Sequence, residues 1–299
     1  MKVVLATRRS KLALAQARAY VRGLVSAHPG LEVEELQIVT TGDRIQDRSL
    51  QAIGGKGLFI KEIEEALLDR RADFAVHSIK DVPAELAGGL FLAGIPKRED
   101  PRDAVITRGG GLDALSQGAR IGTSSMRRSL QLRELRPDLR CEPLRGNVDT
   151  RLRKLEEREF DGIVLAYAGL RRLDLASRAS QVLEPEEMLP AVGQGALGIE
   201  CRADDSRMIA LLSGSDDLDT RIAVEGERAF MRAVGGSCEL PVAAYCVIGD
   251  SELWLRGMLA DADGANTRRG ELRAARPTNM IEARALAVAL GNELGAALR

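Results

Sequence analysis

Short apolar runs alternate along this chain with amphipathic stretches of helical spacing. The runs cover residues 2–6, 74–76, 90–95, 104–107 and 162–166, and the run 74–76 stops abruptly at polar residues. Short runs of this kind are typical of strands buried inside a sheet. Because strands and helices take turns along the chain, the pattern predicts α/β sheets of parallel strands covered by helices on both faces.

The amphipathic stretches predict the helices, and two of these have a clear N-terminal cap. Ser10 precedes a helical pattern over residues 11–27, and Asn147 precedes a second one that begins at residue 148. Serine and asparagine are favoured caps because their side-chain oxygen accepts a free N–H of the first turn. Further helices are predicted at residues 58–70, 124–136, 204–212, 220–234 and 280–298.

At 299 residues the chain is longer than the chains that usually form a single hydrophobic core, so two or three domains are expected. A charged segment bracketed by Pro96 and Pro101 looks like a linker to a second α/β series. The apolar run 196–201 fits a second crossover that returns the chain to the first domain. A hairpin around Gly249-Asp250 then indicates a small α+β domain. The predicted boundaries are 1–96 with 196–214 for domain 1, 101–191 for domain 2, and 219–299 for domain 3.

Composition and charge narrow the class of protein. Hydrophobic residues make up 45% and charged residues 29%, which is ordinary for a soluble globular chain. The 43 basic and 44 acidic residues almost cancel, whereas a protein that coats nucleic acid normally has a large positive excess. The apolar run at the N-terminus is too short for a signal peptide, and no run approaches the roughly 18 residues of a membrane span. We therefore expect a cytoplasmic protein that binds neither nucleic acid nor membrane.

The cysteines and histidines argue against metal chemistry and single out one thiol. The four cysteines match no zinc or redox spacing, and the chain has only two histidines. Cys141, Cys201 and Cys246 lie in strand-like runs and are predicted to be inert core residues. Cys238 lies instead on a glycine-containing loop, where an accessible thiol is a nucleophile or an attachment point. No partner histidine lies nearby in the sequence, which disfavours a cysteine hydrolase. Covalent attachment of a group to Cys238 is then the alternative to consider.

A polar cluster directly follows one of the buried strands. His77, Ser78, Lys80 and Asp81 come before Pro83, which a central strand does not tolerate. Open α/β sheets bind ligands at the carboxyl ends of their strands, and a lysine beside an aspartate there can hold an anion and move a proton. The alternative is a solvated turn with a surface ion pair, and this stretch alone does not decide. His77 by itself is expected to be a hydrogen-bonded core residue.

Three other places join polar side chains to arginines at the start of a helix. They are residues 7–10, residues 121–128, and residues 145–147 together with Arg151. Free N–H groups and the helix dipole at such positions favour an anion, and arginine fits a carboxylate bidentately. For any single junction, a capped helix with solvated arginines is the better interpretation. Three junctions in one chain instead suggest a ligand with several carboxylates or phosphates.

Two glycine-rich segments imitate nucleotide-binding motifs. Residues 54–57 lack the G-x-x-x-x-G-K-[ST] spacing, and Gly57 stands where a hydroxyl would bind magnesium. Residues 193–198 match G-x-G-x-x-G, but Pro190 precedes them and a strand-like run follows, whereas the motif must follow a strand and open a helix. Neither a nucleotide nor a nicotinamide cofactor is supported.

Several long motifs, in their order, resemble the hydroxymethylbilane synthase family, whose members are also called porphobilinogen deaminases. They include residues 6–16, 41–43, 54–59, 77–83, 98–104, 122–128, 145–152, 189–200 and 236–238. The resemblance implies two doubly wound domains like those of periplasmic binding proteins, around a cleft that holds the active site. It also implies a small C-terminal α+β domain and a monomer.

The resemblance further implies a dipyrromethane cofactor attached to Cys238 through a thioether. On this primer the family joins four porphobilinogen molecules head to tail, releasing ammonia each time, and then hydrolyses off the linear tetrapyrrole hydroxymethylbilane. Porphobilinogen carries an acetate and a propionate, which accounts for arginines at several helix starts. The main alternative is a non-catalytic, hinged binder of a polycarboxylate, which needs neither Cys238 nor a covalent group. A phosphate-handling enzyme is disfavoured by the failed phosphate-loop spacing.

Residue by residue, the resemblance implies that Asp81 is the catalytic carboxylate. The positions implied to bind the cofactor's acidic side chains are Lys80, Ser78, Thr123, Ser125, Arg127 and Arg128. Those implied to handle carboxylates of substrate or intermediates are Arg8, Ser10, Gln16, Arg145, Arg151 and Gln194. Lys56 and Phe59 match a mobile loop that covers the cleft, and no metal is required. The chain departs from the commonest pattern at Ala52, Gly235 and Ser237.

Overall fold

The computed structural model describes residues 1–44, 60–236 and 240–299. These residues fall into two compact units. The first comprises Met1–Arg98 and Ala196–Arg221, and the second comprises Glu99–Gly195 and Ile222–Arg299. Within the described ranges, no helix combines the length and the hydropathy that a membrane crossing requires.

The first unit is built on a five-stranded mixed sheet with the strand order β2-β1-β3-β10-β4. Its strands are β1 (Lys2–Arg8), β2 (Glu32–Ile38), β3 (Phe74–Ser78), β4 (Leu90–Gly94) and β10 (Leu197–Arg202). β1 pairs in parallel with β2 and β3, whereas β10 runs antiparallel to β3 and β4. The chain therefore returns to this sheet after residue 196 and inserts β10 between two earlier strands.

Helices cover both faces of this sheet. They are α1 (Lys11–Ala27), α3 (Lys61–Leu68) and α7 (Ser206–Ser213), whereas the short helix α2 (Thr41–Arg44) follows β2 along the chain. On one face, Phe74 packs in an apolar cluster with Tyr20 of α1 and Met208 of α7. On the other face, Ala75 packs with Ile63 of α3. Neighbouring residues of β3 thus point to opposite faces, and both faces are buried.

The second unit contains an equivalent five-stranded sheet with the order β7-β6-β8-β5-β9. Its strands are β5 (Asp103–Thr107), β6 (Arg120–Gly122), β7 (Arg140–Glu142), β8 (Gly162–Ala166) and β9 (Gln181–Leu183). Its helices are α4 (Met126–Leu135), α5 (Val148–Glu156) and α6 (Tyr167–Arg172). β6 is parallel to β7 and β8, and β5 is antiparallel to β8 and β9. Each sheet therefore has one antiparallel strand in the same place.

The second unit also contains an antiparallel three-stranded sheet with the order β11-β12-β13. Its strands and the helices that pack on it are β11 (Val242–Ile248), β12 (Glu252–Leu259), β13 (Arg268–Ala275), α8 (Leu218–Ala233) and α9 (Met280–Leu298). Phe230, Leu255 and Leu294 share the core between them. The two helices approach closely at Gly226 and Gly291, because a Cβ atom at position 291 would overlap the Gly226 carbonyl oxygen.

The predicted fold class is confirmed: two α/β sheets covered on both faces, plus a small α+β part. The expectation of purely parallel sheets is wrong, because β5 and β10 run antiparallel. These strands follow segments 95–102 and 184–196, neither of which contains a helix. A strand reached without a crossover helix has no reason to run parallel to its neighbours.

Most element bounds agree with the sequence-based predictions. Helices α1 and α9 have the predicted ends, the hairpin of β11 and β12 turns at Gly249-Asp250 as predicted, and Ser10 and Asn147 are the caps of α1 and α5. β9 and α6 were not predicted. The long polar connection predicted for residues 41–57 begins with α2, and its later part lies outside the described residues.

Candidate active site

Polar side chains collect at the carboxyl ends of β1 and β3 in the first unit. Arg8 ends β1, and Ser10 caps α1 by accepting a hydrogen bond from the Ala13 N–H, with 3.3 Å from nitrogen to Oγ. Gln16, further along α1, donates from Nε2 to Ser78 Oγ over 3.0 Å. Ser78 is the last residue of β3. Four of the predicted site residues therefore lie at one edge of the first sheet.

The chain leaves β3 in a short 3-10 turn, Ile79–Asp81, that carries Lys80 and Asp81. Ile79 is 1% exposed and donates its backbone N–H to the Ala196 carbonyl oxygen over 3.0 Å. This apolar residue anchors the turn to the segment that leads into β10. Lys80 and Asp81 are half-buried, so both remain accessible to a ligand while their backbone is held by the turn.

His77 lies on β3 beside this turn and is a core residue, as predicted. Its side chain is buried, and Nε2 lies 2.8 Å from Oε2 of Glu200 on β10. Glu200 is fully buried, and within the described part of the chain its Oε1 has no hydrogen-bond partner. Glu64 of α3 is close enough to interact electrostatically with both groups, and burial raises its pKa. A small group of ionisable side chains thus lies between β3, β10 and α3.

The second unit places hydroxyl groups at the junction of β6 and α4. Ser125 caps α4: its Oγ accepts the Arg128 N–H at 3.4 Å. The Ser125 N–H in turn donates to Thr123 Oγ1 over 3.2 Å. β6 and β1 occupy equivalent positions in their sheets, and both end at a serine-capped helix. The predicted junctions at residues 7–10 and 121–128 are therefore equivalent in the fold.

Arg127 and Arg128, on the first turn of α4, bind one buried carboxylate. Arg128 Nη2 and Nε lie 2.7 and 3.0 Å from Asp103 Oδ1, and Arg127 Nη2 lies 2.8 Å from Asp103 Oδ2. The same arginines donate to the carbonyl oxygens of Val164 and Leu189. Burial by itself raises the pKa of Asp103, but the charges of both arginines outweigh it and lower this pKa to about 2.

Gln194 completes this cluster from the segment before β10. It is 1% exposed, and its Nε2 donates to the Pro101 carbonyl over 2.7 Å and to Asp103 Oδ1 over 3.1 Å. The neighbouring Gly193 N–H donates over 2.7 Å to the buried carboxyl group of Glu227 on α8. The predicted ligand-binding residues Arg127, Arg128 and Gln194 therefore meet at Asp103.

A further pair of predicted arginines lies at the junction of β7 and α5. The Asn147 side chain accepts the Thr150 N–H over 3.0 Å and so caps α5. Arg151 Nε donates to the Gly146 carbonyl over 2.8 Å, and Gly146 has a φ of +108° that favours glycine. Arg145 and Arg151 are both half-buried. They lie at the same edge of the sheet as Thr123 and Ser125, since β7 pairs in parallel with β6.

Three residues that the sequence-based reasoning missed have defined contacts near these clusters. Asp103 and Glu200 are buried acids on β5 and β10. Arg172, at the end of α6, donates from Nη2 to the Gly195 carbonyl over 2.6 Å, and burial lowers its pKa. The signal in the sequence was a carboxylate inside an apolar run for Glu200 and one directly before an apolar run for Asp103. Nothing in the sequence alone distinguished Arg172 from its arginine neighbours.

Comparison with known proteins identifies the family. The profile described as "Porphobilinogen deaminase, dipyromethane cofactor binding domain" matches residues 3–210, and "Porphobilinogen deaminase, C-terminal domain" matches residues 221–298. The chain belongs to the porphobilinogen deaminase family. A protein of Sorangium cellulosum named porphobilinogen deaminase is 62% identical over 98% of both chains. Another of this name, from Brevibacillus brevis, is 50% identical over 98% of this chain and 96% of its own.

Among solved structures, the periplasmic aliphatic sulphonate binding protein SsuA from Escherichia coli aligns with 78% of this chain and 70% of its own. The TM-score is 0.42 and the sequence identity is 13%.

Membership of the porphobilinogen deaminase family confirms the predicted activity class. The chain is a hydroxymethylbilane synthase, a transferase of porphyrin biosynthesis that uses a dipyrromethane cofactor. The cofactor-binding profile spans every predicted ligand-binding residue from Arg8 to Gln194. The Asp103 cluster fits a cofactor with acidic side chains, because two guanidinium groups share one carboxylate and leave a positive charge in a buried place.

Three residues predicted for this porphobilinogen deaminase site, Lys56, Phe59 and Cys238, lie outside the described residues. Of the remaining cysteines, Cys201 and Cys246 are buried and Cys141 is half-buried. Burial raises the pKa of Cys201 to about 11, which keeps this thiol protonated and unreactive at neutral pH. All three lie on strands, and the prediction of core residues is confirmed for Cys201 and Cys246, whereas Cys141 is only partly buried against the core.

Proposed function

We propose that the two polar clusters carry out the family reaction in this chain. That reaction is the head-to-tail condensation of four porphobilinogen molecules on a dipyrromethane primer, with release of ammonia and final hydrolysis to hydroxymethylbilane. The observation that supports it best is the buried cluster of Arg127, Arg128 and Asp103, in the range matched by a dipyrromethane-binding profile. Substrate and primer both carry carboxylates, which this cluster is charged to receive.

We assign the binding of the cofactor's acidic side chains to two sets of residues. They are Ser78 and Lys80 in the first unit, and Thr123, Ser125, Arg127 and Arg128 in the second. Cys238 is the proposed attachment point. When bound, the dipyrromethane supplies the terminal pyrrole to which the incoming porphobilinogen is joined. The arginines supply charge and orientation, because a guanidinium held by backbone carbonyls presents its remaining N–H groups in a fixed plane.

Asp81 is the proposed catalytic residue. Its backbone is fixed in the turn after β3 by buried Ile79, and its half-buried carboxyl group is accessible. A carboxylate at this place accepts hydrogen bonds from pyrrole N–H groups and stabilises the positive charge that develops as ammonia leaves. It also moves protons at the departing amine and at the carbon where the new bond forms.

Arg8, Ser10, Arg145 and Arg151 are the proposed contacts for carboxylates of substrate and intermediates. Each lies at the carboxyl end of a central or neighbouring strand, on or before the first turn of a helix, where free N–H groups add to the attraction. Gln16 and Gln194 have a different proposed role. Their amides donate to Ser78 and to Asp103, so we propose that they orient these residues.

Intact-mass measurement tests the proposed reaction. The protein is expressed in a host that makes porphobilinogen, and we expect a chain heavier than its sequence mass by one dipyrromethane, located on Cys238 by peptide mapping. An unmodified chain that also releases no ammonia from porphobilinogen contradicts the proposal. Such a result favours a non-catalytic binder of polycarboxylates.

An Asp81→Asn variant tests the catalytic assignment. We expect it to fold, to carry the cofactor and to lose turnover by roughly 10²-fold or more, the usual contribution of a positioned proton-transfer group. Glu85→Gln is the matched control, because Glu85 is an exposed carboxylate just beyond the same turn. Full turnover in Asp81→Asn removes Asp81 from its role.

We further propose that the chain is a cytoplasmic monomer and that its functional division is into three domains. The proposed domains are residues 1–96 with 196–214, residues 101–191, and residues 219–299. Light scattering of the purified protein tests the monomer, with a mass near 32.3 kDa expected and twice that value contradicting it. Lys56 and Phe59 remain the proposed covering residues of the active site.

A further inference from the structure

Asp103 holds two cations at a place where they are otherwise unfavourable. Arg127 and Arg128 lie on the first turn of α4, and the positive end of a helix dipole repels cations. Both side chains are nonetheless buried, at 5% and 7% exposure. Their common neighbour is the carboxylate of Asp103, which is 0% exposed and contacts both guanidinium groups within 3.0 Å. Asp103 is therefore the counter-charge that the two arginines at this helix start share.

The charges of this cluster do not cancel. Two guanidinium groups and one carboxylate leave a net charge of +1 in a buried place, and a buried charge without a partner is unfavourable. Arg128 donates N–H groups to Asp103 Oδ1 and to the Val164 carbonyl. Arg127 donates to the Leu189 carbonyl, and its Nη2 forms an ion pair with Asp103 Oδ2 at 2.8 Å. Each guanidinium has five N–H donors, so both retain donors for an anion.

Asp103 is itself fixed on several sides. It is the first residue of β5, where it pairs with Ala166 of β8 and Leu183 of β9. Gln194 donates to its Oδ1 and is held in turn by the Pro101 carbonyl. A carboxylate on a central strand with fixed donors has little freedom to move, so it also fixes the planes of both guanidinium groups.

We propose that Asp103 is a positioning residue for cofactor binding, which sets the orientation of Arg127 and Arg128. It also reduces the net charge of the cluster to +1, which one bound carboxylate balances. The inference rests on the proposed function, in which these arginines bind the dipyrromethane. It adds a residue that does not touch the cofactor. Loss of Asp103 leaves two unshielded cations that repel each other and turn away from the bound carboxylate.

The test compares variants of the full-length protein made in a host that supplies porphobilinogen. Asp103→Asn keeps the shape of the side chain and removes its charge, and Asp103→Glu keeps the charge and moves the oxygens by one methylene. Asp138→Asn is the matched control, because Asp138 is also bound to an arginine, Arg136, over 2.8 Å, outside the cluster. The readouts are the ratio of modified to unmodified chain by intact mass, the thermal midpoint, and kcat and KM of the loaded fraction.

We expect Asp103→Asn to lower the ratio of modified to unmodified chain at least tenfold, and Asp103→Glu to lower it by a few-fold. Asp138→Asn is expected to load like the wild type, even if its thermal midpoint falls by as much as that of the Asp103 variants. A ratio like that of the wild type in folded Asp103→Asn overturns the inference. If Asp103→Asn does not fold, Asp103→Glu decides, and normal loading in that variant overturns it equally.

The wild-type sample separates this inference from the proposed function. An unmodified wild-type chain contradicts the proposed function itself. A modified wild-type chain, together with an Arg128→Gln variant that loads poorly and an Asp103→Asn variant that loads normally, contradicts only the role of Asp103.

Discussion

Replacing His77 by leucine is expected to destabilise the first unit strongly. His77 Nε2 is the hydrogen-bond partner of Glu200 Oε2 at 2.8 Å, and both side chains are buried. Removing one member of a buried pair of ionisable groups costs about 3–5 kcal/mol, because the other is left without compensation. Replacing both by leucine removes the need for a partner and is expected to cost much less than the two single changes together.

The chain offers a built-in reference for this measurement. Its single tryptophan, Trp254, lies on β12 in the second unit, whereas His77 and Glu200 lie in the first. Far-UV circular dichroism follows the helices and strands of both units, and tryptophan fluorescence follows the second. For His77→Leu we expect the dichroism midpoint to fall by on the order of 10 °C. The fluorescence midpoint is expected to move less.

Two results would refute this reasoning. If the effects of His77→Leu and Glu200→Leu add within about 0.5 kcal/mol, the two side chains are not coupled and the contact does not stabilise the unit. If the folded and loaded His77→Leu protein loses turnover by about 10²-fold, His77 takes part in proton transfer and is not only a core residue. A few-fold change in kcat is consistent with the structural role.

Three further predictions concern single residues. The pKa of Asp103 is about 2 in the folded state, below its ordinary value. Ionised Asp103 therefore stabilises the folded state by about 2 kcal/mol above pH 4, and this stabilisation is lost toward pH 2. Acid unfolding of Asp103→Asn should lack this pH-dependent loss of stability. Gly291→Ala should cost about 1–3 kcal/mol in urea unfolding, because its Cβ overlaps the Gly226 carbonyl, whereas Gly23→Ala, with open space, should not destabilise. Asn147→Ala should cost about 1 kcal/mol by loss of the α5 cap, and an unchanged urea midpoint would contradict this.

The elements that were predicted with their correct ends carry local signals. α1 begins after a serine whose Oγ accepts a first-turn N–H, and the hairpin of β11 and β12 turns at Gly249-Asp250. Such signals act over a few residues, so they are visible in the sequence. The direction of β10 is different, because its partner β3 lies more than a hundred residues earlier in the chain. Only the packed sheet decides that pairing.

The candidate site could likewise be predicted from the sequence only in part. The helix starts with Ser10, Ser125 and Asn147 were predicted as anion sites, and the caps are present. The burial of Arg127 and Arg128 was not predicted, because arginines on the first turn of a helix are usually solvated. These arginines can be buried because another strand brings a carboxylate to them. The residues around the arginines do not show where that strand lies in the fold.

The two antiparallel strands supply a buried acidic side chain in each sheet. β5 brings Asp103 to the arginines after β6, and β10 brings Glu200 to His77 beside the turn of Lys80 and Asp81. Each strand enters its sheet from a connecting segment without a helix and lies next to the third strand of the parallel series. The two strands whose direction was predicted wrongly therefore hold the buried acids that contact the site-bearing elements. A substitution at either acid acts on the site through this packing, which is why we expect it to change cofactor loading or stability and to leave the chemical step itself intact.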